Sequence, residues 1–126
     1  MARPDFTRRA MMVGLAVVGA SLLLPWRPLR ADEVVRVMKV KGCGCCEGWA
    51  EHLRAAGFAC EVSVHPDLDA YKAELGVPGD LRSCHTATVA DYIVEGHVPA
   101  AAVRRLLAKR PALAGLAVPG MPAGSP

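Results

Sequence analysis

The chain has 126 residues, a formal net charge of +3, 52% hydrophobic residues and five cysteines, a length that suits one small domain. The positive excess sits at one end. Residues 1–31 hold five of the fifteen Lys and Arg side chains and one of the twelve acids, which leaves ten basic against eleven acidic residues beyond them. A nearly neutral remainder carries no electrostatic footprint for nucleic acid, and that class of partner is excluded.

The start reads Thr7-Arg8-Arg9-Ala10-Met11-Met12 and then runs apolar through Leu24. A basic segment followed by an apolar one of this length is an export signal, too short for a comfortable membrane span. The paired arginines predict the twin-arginine route, hence a periplasmic protein that crosses already folded. We place the signal at residues 1–31 with a cut after Ala31, although Leu29 at the −3 position is not the small residue preferred there. Contact with a membrane then arises only through an uncleaved signal.

Glu33 to Val40 is rich in valine and predicts a mostly buried strand. The loop Lys41-Gly42-Cys43-Gly44-Cys45-Cys46 follows, its glycines permitting tight backbone geometry around the thiols. A helix is expected from about Cys46 to Ala56, with Cys46, Trp49, Ala50 and Leu53 on one face and Glu47, Glu51 and His52 towards water. Phe58 to Val64 alternates as a strand with Phe58, Cys60, Val62 and Val64 inward, so Cys60 is read as core. Asp67 caps a short helix through about Leu75, with Leu68, Tyr71 and Leu75 inward. After the turn at Val77 to Asp80, Thr86 to Ala90 and Tyr92 to Glu95 predict an antiparallel hairpin. Pro99 opens a last helix, which Pro111 stops. The cations Arg104, Arg105, Lys109 and Arg110 at its end suit the helix dipole.

The order β-α-β-α-β-β-α is α/β and thioredoxin-like, with a central mixed sheet. Its boundaries are residues 32–112 for the metal-binding domain and 113–126 for a Gly/Pro-rich tail, in which Gly115 to Pro126 is too rich in Gly and Pro for regular structure. In this arrangement Cys43 to Cys46 stand at the start of the first helix. Cys84 and His85 stand just before the third strand, in the loop that approaches that helix start.

An odd number of cysteines in an oxidising compartment fits a pure disulfide framework badly, and the neighbours Cys45 and Cys46 cannot bridge without strain. Three chemistries remain open. Thiolates suit Cu(I), and bridging thiolates accommodate more than one copper, which gives the dense run a use. His85, His97 and Met121 are further candidate donors, His97 being also a candidate helix cap. Alternatively, the four cysteines hold a structural zinc, although the second half is a lone Cys84 beside His85 where a second C-x-x-C is usual. Or Cys43 and Cys46 exchange disulfides as in thioredoxin. Cys45 inside the motif argues against that, as does Cys84-His85-Thr86 where thioredoxins place a proline.

The run CGCC-x-x-W-x-x-H-L-x-x-x-G-F from Cys43 to Phe58 resembles the CopG-type family of small exported proteins found with copper-resistance genes. GVP at Gly76 to Pro78, SCHTA at Ser83 to Ala87, EGHVPA at Glu95 to Ala100 and GLAVPGMPAGSP at Gly115 to Pro126 continue the resemblance. It implies a thioredoxin-like fold and a multinuclear copper site ligated by Cys43, Cys45, Cys46 and Cys84. It also implies a role in copper tolerance, with interconversion of Cu(I) and Cu(II) and other exported copper-handling proteins as partners. These residues serve a passive metal binder and a copper oxidoreductase equally well.

Overall fold

The computed structural model describes residues 33–126. The expected export signal at 1–31 lies outside them. Among the described residues, no helix is long and apolar enough to cross a membrane.

Five strands form one mixed sheet. β1 (Val35–Lys39) leads through α1 (Gly44–Ala55) to β2 (Cys60–Val64), and α2 (Leu68–Glu74) follows. A 3-10 turn over Gly79–Leu81 precedes the hairpin of β3 (His85–Val89) and β4 (Tyr92–Gly96). α3 (Ala100–Lys109) then leads to β5 (Gly115–Val118). The sheet order is β2-β1-β3-β4-β5. β1 pairs with β2 in parallel and with β3 antiparallel, and β4 pairs with β5 in parallel. The architecture is mixed α/β.

The core gathers the inward valines of β1, β3 and β4 with Trp49 and Leu53 of α1 and Val103 and Leu106 of α3. Removing this apolar surface from water is the main force holding sheet and helices together. β2 is an edge strand, so its alternation buries little. Val64 is 55% exposed, and Phe58, Cys60 and Val62 are half-buried against the core.

Val64 was expected inward, and the structure also corrects the start of α1 and the reading of the tail. α1 begins at Gly44 rather than near Cys46, with Cys43 as its N-cap residue. Gly42 supplies the reason: its φ of +81° turns the chain at once, a conformation glycine adopts without steric cost. Cys45 and Cys46 therefore lie inside the first helical turn. The tail, expected to lack regular structure, contributes β5. There Ile93 N–H donates to the Ala114 carbonyl at 2.9 Å as the chain enters the pairing. A Cβ on Gly115 would run into the Ile93 backbone, so the glycine that argued against a strand is what lets this one lie close to β4.

Candidate metal centre

The thiols meet where α1 begins and β3 begins. Cys43 and Cys46 are joined by a disulfide, and Cys45, Cys60 and Cys84 are free. Cys45 Sγ stands 3.5 Å from Cys43 Sγ and 3.9 Å from Cys84 Sγ. Cys46 Sγ lies 3.7 Å from the Cys84 carbonyl oxygen. The sulfurs of Cys43, Cys45, Cys46 and Cys84 all lie within 4.8 Å of one another. The approach of β3 to the start of α1 thus unites residues nearly forty apart in sequence. Cys60 stays on the edge strand, outside this group, and burial pushes its thiol pKa up.

A second donor group shares one member with the first. The donor atoms of Cys84, His85 and His97 also lie within 4.8 Å of one another. His97 Nε2 is 3.1 Å and His85 Nδ1 is 3.4 Å from Cys84 Sγ. His97 Nδ1 stands 2.6 Å from the Pro126 carbonyl oxygen. A backbone oxygen only accepts, so Nδ1 carries a proton, and Nε2 is the ring nitrogen turned towards the sulfur. Both rings are buried, and the ring nitrogens of His97 face Cys84 and Pro126 rather than the start of α3.

Trp49 braces this corner. Its ring stacks on His85 at 4.5 Å between centroids, and its indole N–H donates to the Val98 carbonyl at 2.8 Å, next to His97. His85 meets His97 edge-on at 5.0 Å. His85 Nε2 is buried without a hydrogen-bond partner among the described residues. Burial, then His97, then Lys72 lower the His85 pKa to about 3, while the Gly96 carbonyl works weakly the other way. The ring is therefore neutral, the form in which imidazole binds metals. The Cys84 thiol is pushed up, first by burial and then by the neighbouring Cys45, so an ion taken up by Cys84 near neutral pH must displace its proton.

Met121 is 57% exposed. The tail nonetheless passes beside the site, because Ser83 Oγ donates to the Gly120 carbonyl at 2.7 Å. His52, expected in water, is half-buried: its Nε2 accepts the Ala100 N–H at 3.1 Å and so caps the start of α3.

A buried ion pair below the site has no counterpart in the sequence reading. Lys72 of α2 and Glu95 of β4 are buried together and form a close salt bridge. Thr86 Oγ1 donates to Glu95 Oε2 at 2.6 Å, Lys72 Nζ donates to Thr86 Oγ1 at 2.7 Å, and Ser83 N–H donates to Glu95 Oε1 at 2.8 Å. Glu95 does fall in the E-G-H-V-P-A motif, but alternation along its strand gives no sign of a buried carboxylate.

The donors are soft sulfurs and imidazole nitrogens, in two groups that share Cys84. This is the chemistry of Cu(I), and it also accommodates Zn(II).

Known proteins point the same way. Residues 81–126 match the family model described as "Protein of unknown function, DUF411". Two solved structures, titled copper resistance protein CopG, Form 2 and Form 1, are each 47% identical to this chain. They superpose with TM-scores of 0.70 and 0.69, and each match covers 74% of this chain and 74% of the other. Among curated proteins, none matches. With that identity over three quarters of both chains, the protein belongs to the CopG family of copper resistance proteins.

Proposed function

We propose that this is an exported copper-resistance protein of the periplasm, built on a thioredoxin-like domain, that holds Cu(I) in a thiolate cluster with more than one copper per chain. Cys43, Cys45, Cys46 and Cys84 are the ligands in this reading. His85 and His97 complete the shell, and Met121 is an outer thioether donor. The observation that carries it is the position of Cys84 Sγ, which belongs to the four-sulfur group and to the sulfur–imidazole group at once. A thiolate shared by two adjacent donor sets is suited to bridging two ions.

Copper is the cargo here, and the chain's own residues take up and release protons and electrons around it. Exchange of the Cys43–Cys46 disulfide with an external dithiol, which leaves as a disulfide, frees two thiols. Loading Cu(I) then displaces protons from the thiols, Cys84 among them. Run in reverse, two thiolates reduce two Cu(II) to two Cu(I) and close the disulfide, which is the balance an interconversion of the two oxidation states requires. Other exported copper-handling proteins are the partners this role calls for.

The Cys43–Cys46 disulfide also favours a second reading, thiol–disulfide exchange of the thioredoxin kind. Metal content separates the possibilities. The reduced full chain is titrated with Cu(I) and with Zn(II) in the absence of oxygen. Tight uptake of more than one copper per chain supports the cluster. One zinc with no preference for copper identifies a structural site. Little metal with a readily reversible disulfide identifies an oxidoreductase.

A further inference from the structure

The Lys72–Glu95 pair is costly to keep. Removing both charges from water is repaid only when their geometry and remaining hydrogen bonds are good, and apolar pairs of similar volume often serve stability as well or better. What the pair's hydrogen bonds hold is therefore informative. They converge on one tetrapeptide, Ser83 to Thr86. Glu95 Oε1 takes the Ser83 N–H at 2.8 Å, and Oε2 takes the Thr86 hydroxyl at 2.6 Å. Lys72 closes the ring by donating to both Glu95 and Thr86. The two residues between these anchors are Cys84 and His85.

The same carboxylate is tied to the third donor. Glu95 of β4 lies two residues before His97, which directly follows the strand, and Thr86 is its partner in the β3–β4 register. Gly96 between them adopts φ +75°, and a Cβ there would stand 2.6 Å from Ser83 Cβ. The Ser83 turn can thus press against β4 only over a glycine. Glu95 and Gly96 together fix the distance between the segment bearing Cys84 and the strand end bearing His97.

We propose that Glu95, charge-balanced by Lys72, is a positioning residue that sets Cys84 Sγ between the Cys45 thiol and the His97 imidazole. The inference rests on the copper reading for its consequence but not for its geometry. Loss of a partner that orients a metal ligand typically costs 10–100-fold in affinity. A pair that serves stability alone would leave affinity untouched when replaced by apolar residues.

The test is the double variant Lys72→Met with Glu95→Leu in the full chain, which removes both charges and the clamp while filling the same space. Two readouts are taken beside the unaltered protein and Cys84→Ser. The first is the rate at which Cys84 is alkylated in reduced, metal-free protein, resolved by mass spectrometry. The second is Cu(I) affinity. A folded double variant with Cys84 alkylated about tenfold faster and Cu(I) bound at least about tenfold more weakly supports the proposal. Unchanged alkylation, with or without a change in copper binding, overturns it. Faster alkylation with unchanged Cu(I) affinity overturns it as well. If the unaltered protein binds no copper, the copper reading fails, and the alkylation rate alone decides the positioning role. If the double variant does not fold, Glu95→Gln, which keeps the shape but loses one acceptor, decides by the same two measurements.

Discussion

The two halves of the donor set are built on opposite terms. Cys43, Cys45 and Cys46 stand on a glycine-flanked loop and the first turn of α1, with Cys45 exposed and the other two held by a bond to each other. Cys84, His85 and His97 stand at adjoining ends of β3 and β4, where Trp49, Glu95 and the Pro126 carbonyl fix their surroundings. On the copper reading, the histidine half determines where an ion sits, Cys45, the exposed member of the other half, admits it, and the Cys43–Cys46 pair, whose Cys46 is fully buried, changes oxidation state. Cys84 belongs to both halves, so it is where the comparison breaks most easily. Cys84→Ser should lower Cu(I) affinity by at least about a hundredfold, the upper end of what loss of a mere orienting partner costs, measured by competition with a Cu(I) chelator.

The histidine half also carries a pH signature. An unfolded histidine has a pKa near 6.5, whereas His85 in the fold titrates at about 3. Between these values the unfolded chain binds a proton and the folded chain does not, so stability falls as pH falls. The contribution is fully present above pH 6.5 and is lost progressively towards pH 3. Its slope is about 1.4 kcal/mol per pH unit at most. Denaturant unfolding of the metal-free protein should therefore show a loss of about 2 kcal/mol between pH 6.5 and 5. His85→Gln should flatten that slope. A wild-type profile with no slope in this window would place His85 in contact with water.

Cys45 sharpens the contrast from the other side. It is exposed, and it is the thiol a dithiol site has no use for. Cys45→Ser should weaken Cu(I) binding by about tenfold, less than Cys84→Ser because it belongs to one donor group only. The Cys43–Cys46 disulfide should still form and reduce normally. If Cys45→Ser keeps full copper stoichiometry and affinity, the cluster loses its most distinctive residue. The thiol-exchange reading then gains.

What the sequence discloses follows the same division. The helices and strands that pack the core show in apolar periodicity, and both cysteine motifs stand out by residue type alone. The start of α1 was misjudged because capping at Cys43 depends on a positive φ at Gly42, which periodicity does not register. The Lys72–Glu95 pair was invisible for a stronger reason. Charged side chains are almost never fully buried unless paired, and this pairing spans 23 residues and exists only once α2 packs against the sheet. His52 was misread likewise, because its partner is a backbone N–H 48 residues away. β5 was missed because Gly115 weakens any local strand signal, while its value lies in a close approach to Ile93 that only the assembled sheet reveals.

β5 bears on the last and smallest effect. It fixes the tail to β4, and the bond from Ser83 to Gly120 ties the tail to the Cys84 turn, one residue short of Met121. Met121 is thus delivered beside the site yet left 57% exposed. An outer thioether in that position adds little to a site already supplied with thiolates and imidazoles. Met121→Ala should change stability by no more than about 0.5 kcal/mol, as surface substitutions usually do. It should lower Cu(I) affinity by about twofold or less, a change well under the tenfold that corresponds to about 1.4 kcal/mol. A tenfold loss would instead mean that copper draws the thioether inward. The tail would then have to rearrange around its anchor at Gly120 on loading, and protection of the Gly120 amide from hydrogen exchange would change between the copper-free and copper-loaded protein.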